Sequence, residues 1–293
     1  MKINICTFGN VMLAYRNSVK LYYHSLQDLG HTVIVTEGQV LTGYLNLLLF
    51  HTIFDAATLD ALLKSGATLG HIGTEMYNPA GFFHRPFQDA GEAARYRAFV
   101  QSCAVVISHF HDEAESYRAL TDRVRYVPFG FNEKCLEVSR SDEKLLDVYF
   151  FGSVSNEPYR AEIFSRLRGA GLSIAYHENG GGDLARNSFV GVARTTLNLI
   201  HRRDTRHVSY RVPWLANNRI CALSNRALDR ENYLQFCKSY ADDELVDGCR
   251  AYIARKRYHA EGDEMYECFK KFPMSAYLEE AFDRTLGVAS HAA

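Results

Sequence analysis

The sequence contains none of the short glycine motifs that mark well-known nucleotide-binding or hydrolytic sites. It has no Gly-x-Gly-x-x-Gly, no Gly-x-x-x-x-Gly-Lys-Ser/Thr and no Gly-x-Ser-x-Gly. The first predicted strand runs instead into Thr7-Phe8-Gly9-Asn10. These absences weaken the case for a dehydrogenase and give no support to phosphate-loop or serine-hydrolase chemistry.

The cysteines show no pairing pattern. There are 7 of them, an odd number, and none forms a Cys-x-x-Cys. This argues against a disulfide framework or a structural zinc site and favours a reducing compartment. The cysteines are Cys6, Cys103, Cys135, Cys221, Cys237, Cys249 and Cys268.

Long apolar runs are also missing. The most apolar window, residues 44–54, is interrupted by Asn46 and His51, and it is shorter than the roughly 18 apolar residues that indicate a spanning helix. The stretch Ile3–Cys6 after Met1-Lys2 is too short for a signal peptide. We expect no transmembrane segment and a cytoplasmic protein, unless it docks peripherally on a membrane.

Neither sign of charge dominates. The chain has 33 basic and 34 acidic residues and a net charge of −1, so we expect no nucleic-acid partner. The basic run at Arg202, Arg203 and Arg206 is typical of a solvated surface. With 47 % hydrophobic residues, the 293 residues can bury a sizeable core, and at about 150 residues per domain they suggest two domains.

The first half alternates strand and helix patterns. Helical spacing of apolar residues recurs through Val19–Leu29, Leu59–Leu63, Tyr96–Val100 and Asp112–Leu120. The predicted strands are Lys2–Phe8, Thr32–Thr36, Leu47–Ile53, Thr68–Gly73, Ala104–Ser108 and Arg125–Pro128. Such repeated strand–helix–strand units predict a parallel sheet covered on both faces.

The same pattern restarts after a polar stretch, Ser139–Lys144. The predicted strands are Asp147–Phe151, Ser173–His177, Thr195–Ile200 and Ile220–Ser224. The predicted helices are Pro158–Leu167, Val208–Ala216, Asp242–Ala254, Ala260–Lys271 and Ser275–Thr285. We therefore predict an α/β protein with two doubly wound, Rossmann-like domains facing a cleft: residues 1–138, a linker at 139–146, residues 147–272, and a helix in 273–293 that crosses back to the first domain.

Ligands of parallel sheets bind beyond the carboxyl ends of the strands. In the second half, Gly152 and Ser153 follow a strand and precede a helix, which suits an anionic ligand. Arg160, early in that helix, either neutralises a phosphate or faces solvent. Arg211 opens a helix whose dipole it opposes, so it either meets an anionic ligand or forms a surface pair with Asp204.

In the first half, Glu75 follows a predicted strand. It is a candidate general base or sugar ligand, and a solvated loop carboxylate is the alternative. His109 and His111 follow the next strand. Two histidines at this spacing suggest a metal, but no third ligand of fitting spacing stands out, so contact of one of them with substrate is favoured over a metal site.

Several motifs, in this order, resemble glycosyltransferases of the GT-B fold, in particular the family 1/4-like and spore-maturation CgeB-like group. The resemblance covers most of the chain from about Thr74 onward. The motifs are Val127-Pro128-Phe129-Gly130-Phe131, Asp147-Val148-Tyr149-Phe150-Phe151-Gly152-Ser153, Thr196-Leu197-Asn198-Leu199 and Arg211-Val212-Pro213-Trp214-Leu215-Ala216.

The resemblance implies transfer of a sugar from a UDP- or GDP-linked donor to a glycan, a lipid-linked or another hydroxyl acceptor, without metal or other cofactor. Its implied donor-binding residues are Gly152, Ser153, Arg160, Asn198, His201 and Arg211. For this activity we predict the strand-end residues Glu75 and His109 as catalytic, with Asn10 and His111 on the acceptor side. The acceptor hydroxyl loses its proton either to a base of the first domain or to the leaving phosphate.

The chain departs from this family at two acidic positions. Val208 and Asn225 stand where relatives often carry glutamates that hold sugar or ribose hydroxyls, and the histidine after Leu-Asn comes one residue late, at His201. These departures indicate an unusual donor or reduced activity. The alternatives are a non-catalytic GT-B-like binding protein and an oxidoreductase with a divergent nucleotide loop.

Overall fold

A computed structural model describes residues 1–9, 11–50, 55–73, 77–82, 85–178, 182–200, 210–226 and 229–286. The chain divides into two units: residues 1–130 with 274–293, and residues 131–273. The division after Gly130 lies eight residues before the predicted boundary. The predicted linker belongs to the second unit, because Ser141 and Leu145 donate backbone hydrogen bonds to Gly191 and Val192. The polar composition of residues 139–146 suggested a linker, but composition cannot reveal backbone hydrogen bonds of this kind.

The first unit contains a six-stranded parallel sheet in the order β2-β1-β3-β4-β8-β9. Its strands are β1 (Lys2–Phe8), β2 (Thr32–Glu37), β3 (Leu45–Phe50), β4 (Thr68–Ile72), β8 (Val105–Ser108) and β9 (Val124–Tyr126). A small antiparallel sheet comprises β5 (Tyr77–Asn78), β6 (Gly81–Phe82) and β7 (Arg85–Pro86). All six residues of β3 are buried, as expected for a central strand covered on both faces.

The helices of this unit begin and end where the local sequence permits. Asp55 caps α3 by accepting a hydrogen bond from the Thr58 amide, and Gly30 follows α2 with a φ of 75°. The helices are α1 (Val11–Ala14), α2 (Arg16–Asp28), α3 (Ala56–Lys64), α4 (Ala90–Ser102), α5 (His111–Arg118) and α11 (Met274–Leu286). The last helix, α11, packs on α2 and buries Leu278 and Phe282.

The second unit contains a five-stranded parallel sheet in the order β11-β10-β12-β13-β14. Its strands are β10 (Leu146–Phe151), β11 (Ile174–His177), β12 (Ala193–Asn198), β13 (Ala222–Asn225) and β14 (Cys237–Tyr240). Its helices are α6 (Pro158–Gly169), α7 (Asp183–Val192), α8 (Arg211–Asn217), α9 (Leu245–Arg255) and α10 (Tyr258–Phe269).

Sequence analysis did not predict β14. This strand is at the sheet edge, and of its four residues only Cys237 is buried, so it lacks an apolar run. The prediction of two parallel, doubly wound sheets is confirmed. Among the described residues, no helix has both the length and the apolar character required to cross a membrane.

Candidate functional site

The strand order of the second unit reverses between β10 and β12. From β10 the chain moves one way to β11, and it then crosses β10 to reach β12 on the other side. The helices α6 and α7 therefore leave β10 and β11 on opposite faces of the sheet. Where the strand order reverses in this way, the carboxyl ends of the two strands open a ligand crevice. For this unit the crevice lies after Phe151 and Asn198.

Arg211 spans that crevice. Its Nη1 donates to Asn198 Oδ1 at 2.9 Å and its Nη2 donates to the Phe151 carbonyl at 2.9 Å, so one guanidinium joins the ends of β12 and β10. The guanidinium lies 4.8 Å from the ring centroid of Phe150 and 4.9 Å from that of Phe151. These contacts hold the positive charge in a fixed orientation at the switch point, the place between β10 and β12 where the strand order reverses.

The electrostatic environment of Arg211 favours an anion. Burial and the nearby positive charge of Arg160 lower the pKa of Arg211 to about 9. The residue nonetheless remains partly accessible to solvent. A phosphate placed beside it would offset both the lost hydration and the repulsion between the two guanidinium groups.

Arg160 is buried and bound to backbone carbonyls, so the solvent-facing alternative is wrong. Only 5 % of its surface is exposed, and its guanidinium donates to the carbonyls of Ser153 at 2.8 Å, Leu199 at 2.9 Å and Ile200 at 3.2 Å. It therefore ties the loop after β10 to the loop after β12. Arg160 thereby holds these loops together and adds positive potential, and its predicted contact with a phosphate stays a prediction.

Gly152 is required at its position by geometry. Its φ is +137°, a conformation that side chains rarely adopt, and a Cβ there would lie 3.0 Å from Arg211 Nη2 and 3.3 Å from the Phe150 ring. The absence of a side chain therefore allows the Arg211 guanidinium to lie against the end of β10. Ser153, the other predicted ligand of this turn, is partly exposed beside it.

Asn198 and Asn225 are committed to internal hydrogen bonds. Asn198 Nδ2 donates to Ser224 Oγ at 2.9 Å while its Oδ1 accepts from Arg211. Asn225 is fully buried; its Oδ1 accepts from the Ile200 amide at 2.9 Å and its Nδ2 donates to Tyr159 Oη at 2.6 Å. Asn198 thus helps to orient the Arg211 guanidinium, and its predicted contact with a donor stays a prediction. Asn225 faces inward and joins β13 to the loop after β12.

His109 lies in the interior of the first unit, where it is 2 % exposed. Its Nδ1 is 2.7 Å from the Val127 carbonyl, which can only accept, so Nδ1 carries the proton. The Nε2 then accepts from Tyr22 Oη at 3.2 Å. Burial lowers the pKa of His109 to about 4, although the Val127 hydrogen bond opposes this. His109 is therefore neutral and has both ring nitrogens engaged inside the unit, and its predicted catalytic role stays a prediction.

This burial predicts a measurable pH dependence. Burial also lowers the pKa of His71 to about 4, whereas an unfolded histidine titrates near about 6.5. Between these values the unfolded chain binds more protons than the folded one, so the free energy of unfolding should fall as the pH decreases from 6.5. The slope approaches about 1.4 kcal/mol per pH unit for each histidine.

Urea unfolding of the wild type and of His109→Asn from pH 7 to pH 5 checks this expectation. The variant keeps an amide donor near Nδ1 and lacks the titrating ring, so its free energy of unfolding should depend less steeply on pH. Equal slopes for the two proteins would contradict the buried, neutral state of His109.

Other predicted residues are placed as follows. His111 opens α5, and its ring stacks on Tyr126 with centroids 3.8 Å apart. The remaining ones lie outside the described residues: Asn10, Glu75, His201 and Val208. Within the described ranges, no cluster of three or more His, Cys, Asp or Glu side chains has the arrangement needed to hold a metal ion.

The structure adds two carboxylates at strand ends that sequence analysis missed. Glu113, in the first turn of α5, is fully buried and accepts a 2.5 Å hydrogen bond from Ser108 Oγ. A Cβ on Gly73 would come within 2.6 Å of the Glu113 carboxylate, so this side chain also explains the glycine after β4. The second is Glu178, directly after β11. Glu178 directly follows the predicted strand Ser173–His177, and this position could have identified it as a candidate site residue.

At the level of sequence, no family model and no curated protein matches this chain. The CgeB-like resemblance therefore stays a prediction. Solved structures do match by fold. TarM superposes with a TM-score of 0.54 and 7 % identity over 81 % of this chain and 54 % of TarM, so the chain spans about half of that protein. A variant of Staphylococcus aureus TarM has been crystallised with UDP.

Two further structures cover nearly the whole chain. A putative UDP-N-acetylglucosamine 2-epimerase from Listeria monocytogenes has a TM-score of 0.53, 9 % identity and coverage of 98 % of both chains. A trehalose-6-phosphate synthase has a TM-score of 0.52 and 10 % identity over 96 % of this chain and 86 % of its own. All three are GT-B enzymes. With its two Rossmann-like units on separate parallel sheets, the present chain has the GT-B fold.

Proposed function

We propose that this protein is a glycosyltransferase that takes a sugar from a nucleotide-sugar donor bound by the second unit. One observation carries the proposal: the Arg211 guanidinium bridges the carboxyl ends of β10 and β12, where the strand order reverses. A positive charge held at a nucleotide-binding crevice suits a diphosphate.

The chemistry of the transfer needs such a charge. As the bond between the sugar and the nucleotide breaks, negative charge develops on the departing phosphate. Arg211 lies where it can stabilise that charge, and Arg160 adds positive potential from behind the loops. Because both groups are held in place before the reaction, they lose little orientational freedom during it. In this proposal the protein itself supplies the charge stabilisation, without a metal.

The acceptor side of the proposal rests on the first unit. His109 is neutral and buried, so we assign proton removal to Glu75 or to the leaving phosphate. His109 would then position the loops beyond β8 and β9, where the acceptor is proposed to bind. The acceptor class remains a glycan, a lipid-linked or another hydroxyl compound.

The base of the donor is proposed to be uracil, with guanine as the alternative. TarM, which shares this fold, was crystallised with UDP, and the epimerase that also shares it is described as acting on a UDP-linked sugar.

A non-catalytic nucleotide-sugar-binding protein is the second candidate. Asn225 favours this candidate. It stands where relatives often carry a glutamate that holds sugar or ribose hydroxyls, and its side-chain amide is instead hydrogen-bonded to the Ile200 amide and to Tyr159 Oη. Turnover of a donor by the pure protein would exclude this candidate.

Thermal unfolding with and without nucleotide tests the proposal. UDP at one hundred times its Kd should stabilise the folded protein by about 2.7 kcal/mol, and the melting temperature should rise by about 5 °C or more. Addition of a chelator should leave the shift unchanged. A panel of UDP- and GDP-sugars then identifies hydrolysis or transfer. No shift with UDP or GDP, together with a clear shift with NAD or a flavin, would favour the oxidoreductase and reject this proposal.

A further inference from the structure

The loop that follows β10 already holds an anion supplied by the protein itself. The carboxylate of Glu178 accepts hydrogen bonds from the Ser155 amide at 2.8 Å, from Ser155 Oγ at 2.6 Å and from the Val154 amide at 3.0 Å. These residues are more than twenty positions apart in the sequence, so tertiary structure brings them together. The contact joins the end of β11 to the loop between β10 and α6.

The donors that Glu178 engages are those that a phosphate would use. Two consecutive backbone N–H groups and a hydroxyl converge on one carboxylate, which is the geometry of an anion-binding nest. The loop leads into the 12-residue helix α6, whose N-cap residue, Glu157, makes no side-chain cap hydrogen bond. Arg160, also on α6, holds the same loop through its bond to the Ser153 carbonyl.

The carboxylate is charged in this position. Burial acts to raise the pKa of Glu178, but hydrogen bonds from Ser155, Val154 and Ser153 outweigh it and hold the pKa below its ordinary value. Arg160 interacts electrostatically with Glu178, while Glu157 adds negative charge near Arg160. The loop thus binds one internal negative charge at neutral pH.

We propose that Glu178 is an internal competitor of the donor diphosphate: its carboxylate occupies the Val154–Ser155 donors in the ligand-free protein and must leave them when the nucleotide binds. This inference rests on the proposed function, because it assigns the displaced carboxylate to the same strand-end site as Arg211. After displacement the loop donors keep an anionic partner, since a phosphate oxygen takes the place of a carboxylate oxygen near Arg160.

Binding of UDP to wild type, Glu178→Ala and Glu178→Gln by calorimetry tests the proposal. Glu178→Ala vacates the donors and should bind UDP roughly 3- to 30-fold more tightly, and inorganic pyrophosphate should show the same gain. Glu178→Gln keeps a neutral acceptor and should fall between the two. Glu267→Gln, on the exposed face of α10, changes the net charge equally and should bind as wild type does.

Hydrogen exchange of the 152–157 segment adds a readout that needs no nucleotide. The Val154 and Ser155 amides should exchange faster in Glu178→Ala, and UDP should restore their protection. Equal or weaker UDP binding by Glu178→Ala overturns the inference and leaves the proposed function standing, since Glu178 would then only brace the loop. Absence of UDP binding in both proteins overturns the proposed function, and the inference with it.

Discussion

Replacing Arg211 by alanine should weaken UDP binding by roughly 10- to 100-fold and should reduce sugar transfer at least as much. The guanidinium joins the ends of β10 and β12, with 2.9 Å hydrogen bonds to Asn198 and to the Phe151 carbonyl. A hydrogen bond to a charged group contributes about 1.5–3 kcal/mol, and each 1.4 kcal/mol corresponds to about tenfold in affinity. Calorimetry with UDP, followed by donor-hydrolysis rates, measures the effect.

Arg168→Ala is the matched control for this substitution. Arg168 is an exposed residue of α6 in the same unit, so its removal changes the net charge equally without touching the crevice. UDP affinity should then stay within about twofold of wild type. Arg211→Lys separates charge from geometry, because lysine keeps the charge and cannot bridge both strands. If Arg211→Ala is folded and binds UDP as tightly as wild type, the diphosphate does not lie at the switch point.

Gly152→Ala should abolish most nucleotide binding because the new side chain displaces Arg211 or strains the loop, while the arginine itself is kept. The added Cβ would lie 3.0 Å from Arg211 Nη2, and the φ of +137° is strained for alanine. Such strained conformations cost about 1–3 kcal/mol. The guanidinium must therefore move, the loop must change conformation, or both. We expect a lower melting temperature together with at least tenfold weaker UDP binding.

Gly169→Ala provides the comparison. This glycine ends α6, has no strained φ, and has nothing within 4 Å of its Cβ position. Alanine has the higher helix propensity, so stability should stay constant or rise slightly. UDP binding should not change. A Gly152→Ala protein that binds UDP normally would show that Arg211 is not the phosphate contact.

The case of His109 shows why strand-end residues cannot be assigned from position alone. The sequence places the histidine directly after a strand, where catalytic groups often lie. The fold then directs its side chain inward between Tyr22 and the Val127 carbonyl, where burial keeps it neutral. The direction of a side chain depends on residues 18 and 87 positions away, and no local pattern contains them.

The contacts of Arg160 and Glu178 could not be predicted from the sequence for a related reason. No residue near Arg160 in the sequence indicates its partners, yet its guanidinium donates hydrogen bonds to three carbonyls in two loops. Glu178 follows a short strand without any motif, yet it meets Val154 and Ser155 from the neighbouring strand's loop. Both contacts cross between adjacent strands, so the sheet order decides them.

The sequence by itself determined the parallel, doubly wound architecture and the positions of Gly152 and Arg211. Apolar runs with intervening helical periodicity are local signals, and a glycine or a cation at a strand end can be found without knowing the strand order. Only the tertiary structure decided that β10 and β12 are neighbours, that Arg211 joins their ends, and that Glu178 already holds the loop between β10 and α6. The physical reason is that local periodicity sets which segments become strands, whereas the pairing of strands far apart in the chain sets which polar groups meet.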